Sequence, residues 1–265
     1  MGQPLTWVDA FTDAPFAGNP AAVCVVERPR DERWMQALAR EIGLSETAFV
    51  EPRGEEFGLR WFTPAIEVDL CGHATLAAAH VLWEEGHVAP DRPARFRSAS
   101  GTLTARRLDD GWIGLDFPAT PAIAGVAPDG LAEGLGARPR WSGRTSQGDW
   151  VVELDDEAAV RALAPDMPRL ARIEMRGVIV TAPATLEGAD YVLRFFGPGS
   201  GVDEDPVTGS AQCALAPYWA ERLGRNALVA FQASPRGGWL RVRPDGERVG
   251  IEGRAVTVLR GELTS

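Results

Sequence analysis

Two stretches of the chain place acidic and polar side chains beside a glycine where an apolar, helix-forming segment begins. The first, residues 67–74, reads Glu-Val-Asp-Leu-Cys-Gly-His-Ala, and the second, residues 203–211, reads Asp-Glu-Asp-Pro-Val-Thr-Gly-Ser-Ala. The first N–H groups of a helix have no partner within the helix and carry positive partial charge, so they attract anions. We therefore expect both stretches to contribute to one site for a small carboxylate.

The two stretches are parts of an internal repeat. Gly209 lies 137 positions after Gly72, and Gly238 lies 137 positions after Gly101 in a chain of 265 residues. A repeat of half the chain length predicts two copies of one domain, since the period is far too long for a solenoid. The repeat predicts an N-terminal domain at 1–117, a proline- and alanine-rich linker at 118–128, and a C-terminal domain at 129–254. The last residues, 255–265, are candidates for a segment that folds back onto the N-terminal domain.

The predicted fold class is α+β with many short strands. Helices are expected at Ala74–Gly86 and Ser210–Leu223, and both segments are apolar almost all round, which is typical of a helix inside a core. Each domain is therefore predicted to wrap a strand-rich sheet around one central helix. A third helix is expected at Glu32–Ile42, capped by Asp31 and ended by Gly43. The stretch 197–201 is predicted to be a hinge or turn that leads into an acidic loop.

Composition excludes several classes of function. The net charge is −10 and all 27 basic residues are arginine, so a lysine Schiff base with pyridoxal phosphate and a P-loop are both excluded. The acidic balance argues against nucleic acid as a partner. Three cysteines without a CxxC pair favour a reducing compartment, and neither a signal pattern nor an apolar run of about 18 residues is present. A cytoplasmic protein without a membrane partner is expected.

The chain resembles the PhzF-like family of phenazine-biosynthesis proteins, which are related in fold to diaminopimelate epimerase. The resemblance spans the chain, and the segments that carry it are Asp9–Thr12, Phe16–Val23, Leu44–Phe49, Phe62–Thr75 and Glu204–Ala211. It implies two domains, each a β-barrel-like sheet around a central helix, with the active site in the cleft between them. It also implies a cofactor-free isomerase without a metal, commonly a homodimer, that acts on a small carboxylated substrate.

The resemblance implies roles for eight residues. Glu46 matches the proton-shuttling acid/base, and His73 and Asp205 match residues that orient and polarise the substrate. The positions that match the lining of the substrate pocket are Asn19, Ser45, Gly72, Gly209 and Ser210. The chemistry agrees for Glu46, because the apolar run at 48–50 disfavours its charged form and so suits it to proton transfer. Taken alone, a glutamate near a strand end would instead indicate a solvated surface acid.

Other interpretations stay open at this point. Related epimerases use a pair of thiols, and Cys71 would be the candidate, although the repeat aligns it with Thr208 rather than with Cys213. A non-catalytic small-molecule binding protein is a second alternative. A histidine metal site is not expected, since His73, His80 and His87 recur every seven residues and lie about 10 Å apart along a helix.

Overall fold

The chain folds into two compact units. The computed structural model describes residues 2–26 and 28–264, so Met1, Glu27 and Ser265 lie outside the description. Unit 1 comprises Met1–Asp116 together with Glu252–Ser265, and unit 2 comprises Phe117–Ile251. The segment 118–128, for which the sequence predicts a linker, is counted within unit 2.

Eighteen strands and six helices lie in the described part of the chain. The strands are β1 Gln3–Ala10, β2 Asn19–Val25, β3 Glu46–Arg53, β4 Glu56–Phe62, β5 Glu67–Val68, β6 Ala94–Ser98, β7 Gly101–Arg107, β8 Ile113–Pro118, β9 Ile123–Ala124, β10 Trp141–Arg144, β11 Trp150–Glu153, β12 Val178–Pro183, β13 Tyr191–Gly197, β14 Val202–Asp205, β15 Leu228–Gln232, β16 Gly238–Asp245, β17 Arg248–Gly253 and β18 Ala255–Leu263. The helices are α1 Glu32–Ile42, α2 Gly72–Glu84, α3 Leu131–Leu135, α4 Glu157–Arg161, α5 Met167–Leu170 and α6 Gln212–Leu223.

The two units share one order of elements and one set of strand directions. In unit 1, β2 is antiparallel to β1, β3 is parallel to β2, and β4 is antiparallel to β3. Helix α2 follows, and then β6 lies parallel to β4 with β7 antiparallel to β6. In unit 2, strands β10 to β13, helix α6, and strands β15 and β16 repeat these directions in the same order. The glycine repeat of the sequence thus corresponds to a repeat of topology.

Helix α2 is the central element of unit 1. All of its residues except Gly72, His80 and Glu84 are buried, and it packs against β1, β2, β3, β7 and β18. A helix buried on every side needs a sheet that curves around it, as the sequence predicts. The helix begins at Gly72, two residues before the expected Ala74, and ends at Glu84.

Helix α6 takes the same place in the topology of unit 2. It begins at Gln212 rather than at the predicted Ser210, because the preceding residues form a tighter turn. In that turn the N–H of Gln212 donates to the carbonyl of Gly209 at 3.0 Å, and the N–H of Cys213 donates to the carbonyl of Ser210 at 3.1 Å. These are bonds across three residues, as in a 3₁₀ turn, rather than across four.

Two further differences from the sequence predictions concern short segments. Residues 198–200 form a 3₁₀ turn, in agreement with the turn predicted at 197–201, but the expected acidic loop is strand β14, which pairs with β13. The predicted linker contains β9, which pairs with β10. Helix α1, by contrast, has the predicted bounds, because the Asp31 carboxylate accepts from the Trp34 N–H at 2.8 Å and Gly43 adopts a left-handed φ of 69°. Among the described residues, no helix is long and apolar enough to cross a membrane.

Candidate active site

Three segments of unit 1 bring the predicted residues Asn19, Glu46 and His73 together. Strands β2 and β3 run parallel, so their first residues, Asn19 and Glu46, lie at the same edge of the sheet. Helix α2 packs on both strands and carries His73 in its first turn. The parallel pair and the start of the helix therefore position this cluster, with Ser45 and Gly72 next to it in sequence.

The imidazole of His73 is the centre of the cluster. Its Nε2 lies 3.1 Å from Oε2 of Glu46, which is an ion-pair distance. Its Nδ1 lies 3.2 Å from the side-chain nitrogen of Asn19 and 3.5 Å from Sγ of Cys71. The side chains of His73 and Glu46 are 6% and 16% exposed. Oε2 of Glu46 is fully buried and has no hydrogen bond besides this contact, so the pair is held in a largely water-free setting.

The electrostatics of the cluster raise the pKa of both the imidazole and the thiol. Burial lowers the pKa of His73, but its acidic neighbours Cys71 and Glu46 outweigh burial, so that pKa lies well above its ordinary value. Burial raises the pKa of the Cys71 thiol, and the negative charge of Glu46 raises it further. The acidic neighbours therefore favour the charged form of His73, and Glu46 makes the ion-pair contact with it.

The same three side chains have the composition of a metal site. Glu46, Cys71 and His73 each offer one ligand atom, and these atoms lie within 4.8 Å of one another. Carboxylate, thiolate and imidazole are all ligands of zinc. The geometry is equally that of an ion pair beside a thiol, and an experiment with a chelator separates the two.

The start of α2 offers unused hydrogen-bond donors. Within the described part of the chain, the N–H groups of Gly72 and His73 donate no hydrogen bond, whereas the Thr75 N–H donates to the carbonyl of Cys71 at 3.2 Å. Such free donors at a helix N-terminus bind anions. They lie beside Glu46, so an anion bound there would be next to the acid.

In unit 2 the predicted residue Asp205 ends β14, and Gly209 and Ser210 lie on the turn that follows it and leads into α6. Gln232, at the end of β15, is fully buried and bonds the first part of this segment: its Nε2 donates to the carbonyl of Asp205 at 2.7 Å, and its Oε1 accepts from the Thr208 N–H at 2.8 Å. The Thr208 hydroxyl donates to Oδ2 of Asp205 at 2.5 Å. These hydrogen bonds therefore fix the backbone conformation from Asp205 to Thr208.

Sequence reasoning missed three polar residues around that turn. They are Gln232, Asp149 and Arg176, and Nη2 of Arg176 lies 3.5 Å from Oγ of Ser210. The signal for Gln232 was a polar residue that closes the apolar run 228–231. Asp149 comes directly before the run at 150–152, and Arg176 comes two residues before the run at 178–180, as Glu46 comes two residues before the run at 48–50.

The other histidines do not join the cluster. Nε2 of His80 lies 3.1 Å from the Thr257 hydroxyl and 3.3 Å from Glu84, and burial lowers the pKa of His80. His87 lies 3.5 Å from Glu85. The three histidines thus contact different partners, as expected for residues that do not share one metal ion.

A family model, curated relatives and solved structures match this chain over almost its whole length. The sequence model of the PhzC-PhzF family, described as phenazine biosynthesis-like protein, matches residues 8–261. An uncharacterized isomerase of Halalkalibacterium halodurans is 50% identical over 264 residues, which cover 99% of each chain. The crystal structure of a PhzF-family phenazine biosynthesis protein of Enterococcus faecalis matches with a TM-score of 0.95 at 40% identity and covers 100% of both chains.

The fold extends to more distant proteins. The crystal structure of a probable proline racemase of Agrobacterium radiobacter matches with a TM-score of 0.66 at 13% identity, over 99% of this chain and 93% of that one. At this identity the likeness shows the fold alone. The predicted fold class, α+β with two similar domains of the epimerase-like type, is confirmed, as is the family resemblance on which it partly rests.

Proposed function

This chain belongs to the phenazine biosynthesis-like family, and on that premise we propose that it is an isomerase that moves a proton between carbon atoms of a small carboxylate-bearing substrate. The observation that carries the proposal is the Glu46–His73 contact of 3.1 Å beside the free N–H groups at the start of α2. The cluster combines a proton acceptor, a fixed cation and an anion-binding helix end.

The two oxygens of Glu46 have different roles in this mechanism. Oε2 is buried against His73, so Oε1, which has no hydrogen bond with any described residue, is the oxygen left to reach the substrate. Oε1 removes a proton from the carbon next to an electron-withdrawing group, and the electron pair of the broken C–H bond delocalises into the substrate. The same carboxyl group then returns the proton to another carbon, so no redox partner is needed.

His73 positions Glu46 and stabilises its charge between turnovers. When Glu46 holds the proton, the imidazolium faces the negative charge that has moved into the substrate. The Asn19 side chain lies beside the other ring nitrogen, with 3.2 Å between its amide nitrogen and Nδ1. Electrostatic stabilisation of this kind needs groups that are oriented in advance, which the burial of His73 provides.

Binding of the substrate is proposed for the remaining residues. The N–H groups of Gly72 and Gly209 and the hydroxyl of Ser210 suit a carboxylate, and Ser45 and Asp205 suit hydroxyl or amino groups. The turn that carries Asp205 is held by Gln232, which keeps its donors and acceptors in place. These roles require neither a cofactor nor a metal, and we propose that the reaction uses neither.

Two alternatives make opposite predictions. In a two-thiol epimerase Cys71 would be a base, but burial raises the pKa of its thiol and the corresponding residue in the repeat is Thr208, which favours the carboxylate mechanism. A binding protein without catalysis would not exchange protons at carbon. The buried Glu46–His73 pair favours the enzyme, because a binding site for a carboxylate gains nothing from a carboxylate beside it.

Assembly and location also belong to the proposal. All three cysteines are free and buried, as expected in a reducing compartment such as the cytoplasm. A homodimer is proposed from the resemblance, and light scattering behind a sizing column tests it: a mass near 57 kDa supports a dimer of the 28.5 kDa chain, and a monomer mass contradicts it.

Deuterium uptake from solvent tests the proposed activity. The protein is incubated in D₂O with a panel of small amino, hydroxy and unsaturated cyclic carboxylic acids, and carbon-bound deuterium is measured by mass spectrometry. We expect incorporation into at least one compound, loss of incorporation in Glu46→Gln, and no effect of EDTA. Binding without incorporation would favour the binding protein, and loss of activity with EDTA would favour a metal at Glu46, Cys71 and His73.

A further inference from the structure

A cluster of charged side chains in unit 2 lies outside the mechanism above. Nε of Arg176 donates to Oδ1 of Asp149 at 2.8 Å, and Nη2 donates to Oδ2 of the same carboxylate. Nη2 also lies 3.5 Å from Oγ of Ser210, in the turn before α6. The Asp149 side chain is 3% exposed and that of Arg176 is 37% exposed, so a buried acid holds a partly exposed cation beside the helix start.

The topology gives this cluster the place that Glu46 has in unit 1. Ala21 pairs with Glu46 where β2 and β3 begin to run parallel, and Trp150 pairs with Val178 where β11 and β12 do so. Asp149 immediately precedes β11, and Arg176 lies two residues before β12. The repeated fold therefore has an acid beside the helix start in unit 1 and a cation beside the helix start in unit 2.

Arg176 is held in advance of any ligand. Its N–H donates to the carbonyl of Gly148 at 3.1 Å, and its carbonyl accepts from the Ser200 hydroxyl at 2.8 Å. The guanidinium lies over the ring of Phe195 at 5.6 Å. A cation fixed by its backbone, by a carboxylate and by a ring loses little entropy on binding a ligand.

Donors remain free at this position. Nη1 of Arg176 makes no hydrogen bond or ion pair with any described residue, and the same holds for the N–H groups of Gly209, Ser210 and Ala211. A planar guanidinium edge, a hydroxyl and consecutive N–H groups match the two oxygens of a carboxylate. Asp149 does not block this, since it occupies only the edge formed by Nε and Nη2.

We propose that Arg176, together with Ser210, binds a carboxylate of the substrate, and that Asp149 is the positioning residue for Arg176. The class of ligand rests on the proposed function, in which the substrate bears a carboxylate. The site itself lies entirely within unit 2, so its binding can be measured without turnover.

Benzoate and benzamide are the probes, because they share one ring and differ in charge. Binding is measured by ligand titration with NMR for wild type, Arg176→Lys and the double variant Asp149→Asn/Arg176→Gln, which removes both charges so that no buried acid is left unpaired. Arg225→Gln is the matched control, since Arg225 also pairs with a largely buried aspartate, Asp190, but lies just past the far end of α6.

We expect wild type and Arg225→Gln to bind benzoate at least ~10-fold more tightly than benzamide, as a charge-assisted bond predicts. Read from the amide signals of Gly209 and Ser210, the double variant should lose that preference, and Arg176→Lys should keep only part of it. Equal preference in wild type and the double variant, or no preference in wild type, overturns the proposal and leaves Arg176 as the partner of Asp149 only. Glu46→Gln should bind benzoate at least as well as wild type, even if it exchanges no deuterium. Failure of this binding site is thereby distinguished from failure of the proposed catalytic function.

Discussion

The two helix starts are built on one topology but carry different groups. At the start of α2, His73 forms a buried ion pair with Glu46 and also contacts Asn19. In the turn before α6, Ser210 stands at the corresponding place, and hydrogen bonds of Gln232 fix the backbone. One copy of the repeated fold therefore carries an acid paired with an imidazole at this place, whereas the other carries a hydroxyl beside a backbone that Gln232 holds.

The strands beneath the helices show the same division. The first residue of β3 is Glu46, and the first residue of β12 is Val178, which is fully buried. No carboxylate acid/base can therefore arise at that position in unit 2. We accordingly propose that proton transfer belongs to unit 1 and that Asp205 and Ser210 of unit 2 contribute binding only, and the following predictions test that proposal.

The largest effect is expected for Glu46→Gln. The amide keeps the shape of the side chain but cannot accept a proton, so kcat should fall by about 10²–10⁴-fold with KM little changed. Glu51→Gln is the control, since Glu51 lies on the same strand and pairs with Arg53 at 2.7 Å. Steady-state rates of deuterium incorporation measure both, and equal losses in the two variants would contradict a special role for Glu46.

Asp205→Asn and Ser210→Ala should act on binding instead. Loss of a hydrogen bond to a charged substrate group weakens binding by about 10-fold or more, so KM should rise while kcat changes by less than about 3-fold. Ser142→Ala, which removes an exposed hydroxyl that donates to Gly125, is the control. A fall in kcat as large as that of Glu46→Gln would place chemistry in unit 2 and break the comparison.

The buried pair should stabilise unit 1 in a pH-dependent way. The pKa of His73 is raised in the folded state, so its contribution is present below the pKa of an unfolded histidine and is lost as pH rises through the folded pKa. A double-mutant cycle of Glu46→Gln and His73→Gln should give about 1–3 kcal/mol of coupling at about pH 6.

That coupling should fall by at least half in alkaline solution. The coupling free energy is obtained from denaturant unfolding of wild type, the two single variants and the double variant at several pH values. The exposed pair of Glu51 and Arg53 is the control, because arginine does not titrate in this range. Coupling that stays constant or grows with pH contradicts a charged His73.

The smallest effect is expected for Cys71→Ser. A neutral buried thiol takes no part in proton transfer, so activity should stay within about 5-fold of wild type and iodoacetamide should inhibit little. Cys24→Ser is the control, since burial raises the pKa of Cys24 to about 12. Loss of activity in Cys71→Ser with an intact fold would favour the two-thiol mechanism.

Local signals explain which parts of the fold could be predicted from the sequence. The Asp31 cap and Gly43 define α1 within the chain itself, and the all-apolar composition of α2 predicts its burial. The start of α6 could not be placed, because a 3₁₀ turn and an α-helical turn share one sequence pattern. Strand β14 was missed because its acidic residues disfavour a strand, and only pairing with β13 stabilises it.

The candidate site divides in the same way. The motifs around Glu46 and His73 indicated both residues, and the structure adds that they contact each other. Arg176 and Gln232 carry no motif, since each is defined by a partner distant in sequence, Asp149 and the turn 205–208 respectively. Such pairings arise from topology and cannot be derived from composition or spacing.

One measurement tests the division between the units most directly: the rate of deuterium incorporation at saturating substrate in Glu46→Gln and in Ser210→Ala. Saturation removes differences in substrate binding, so the rate reports the steps that follow binding. We predict that the saturated rate of Glu46→Gln is about 1% of the wild-type rate or less, and that the saturated rate of Ser210→Ala lies within about 3-fold of the wild-type rate. A saturated rate near wild type in Glu46→Gln would contradict proton transfer by Glu46, and with it the assignment of chemistry to unit 1.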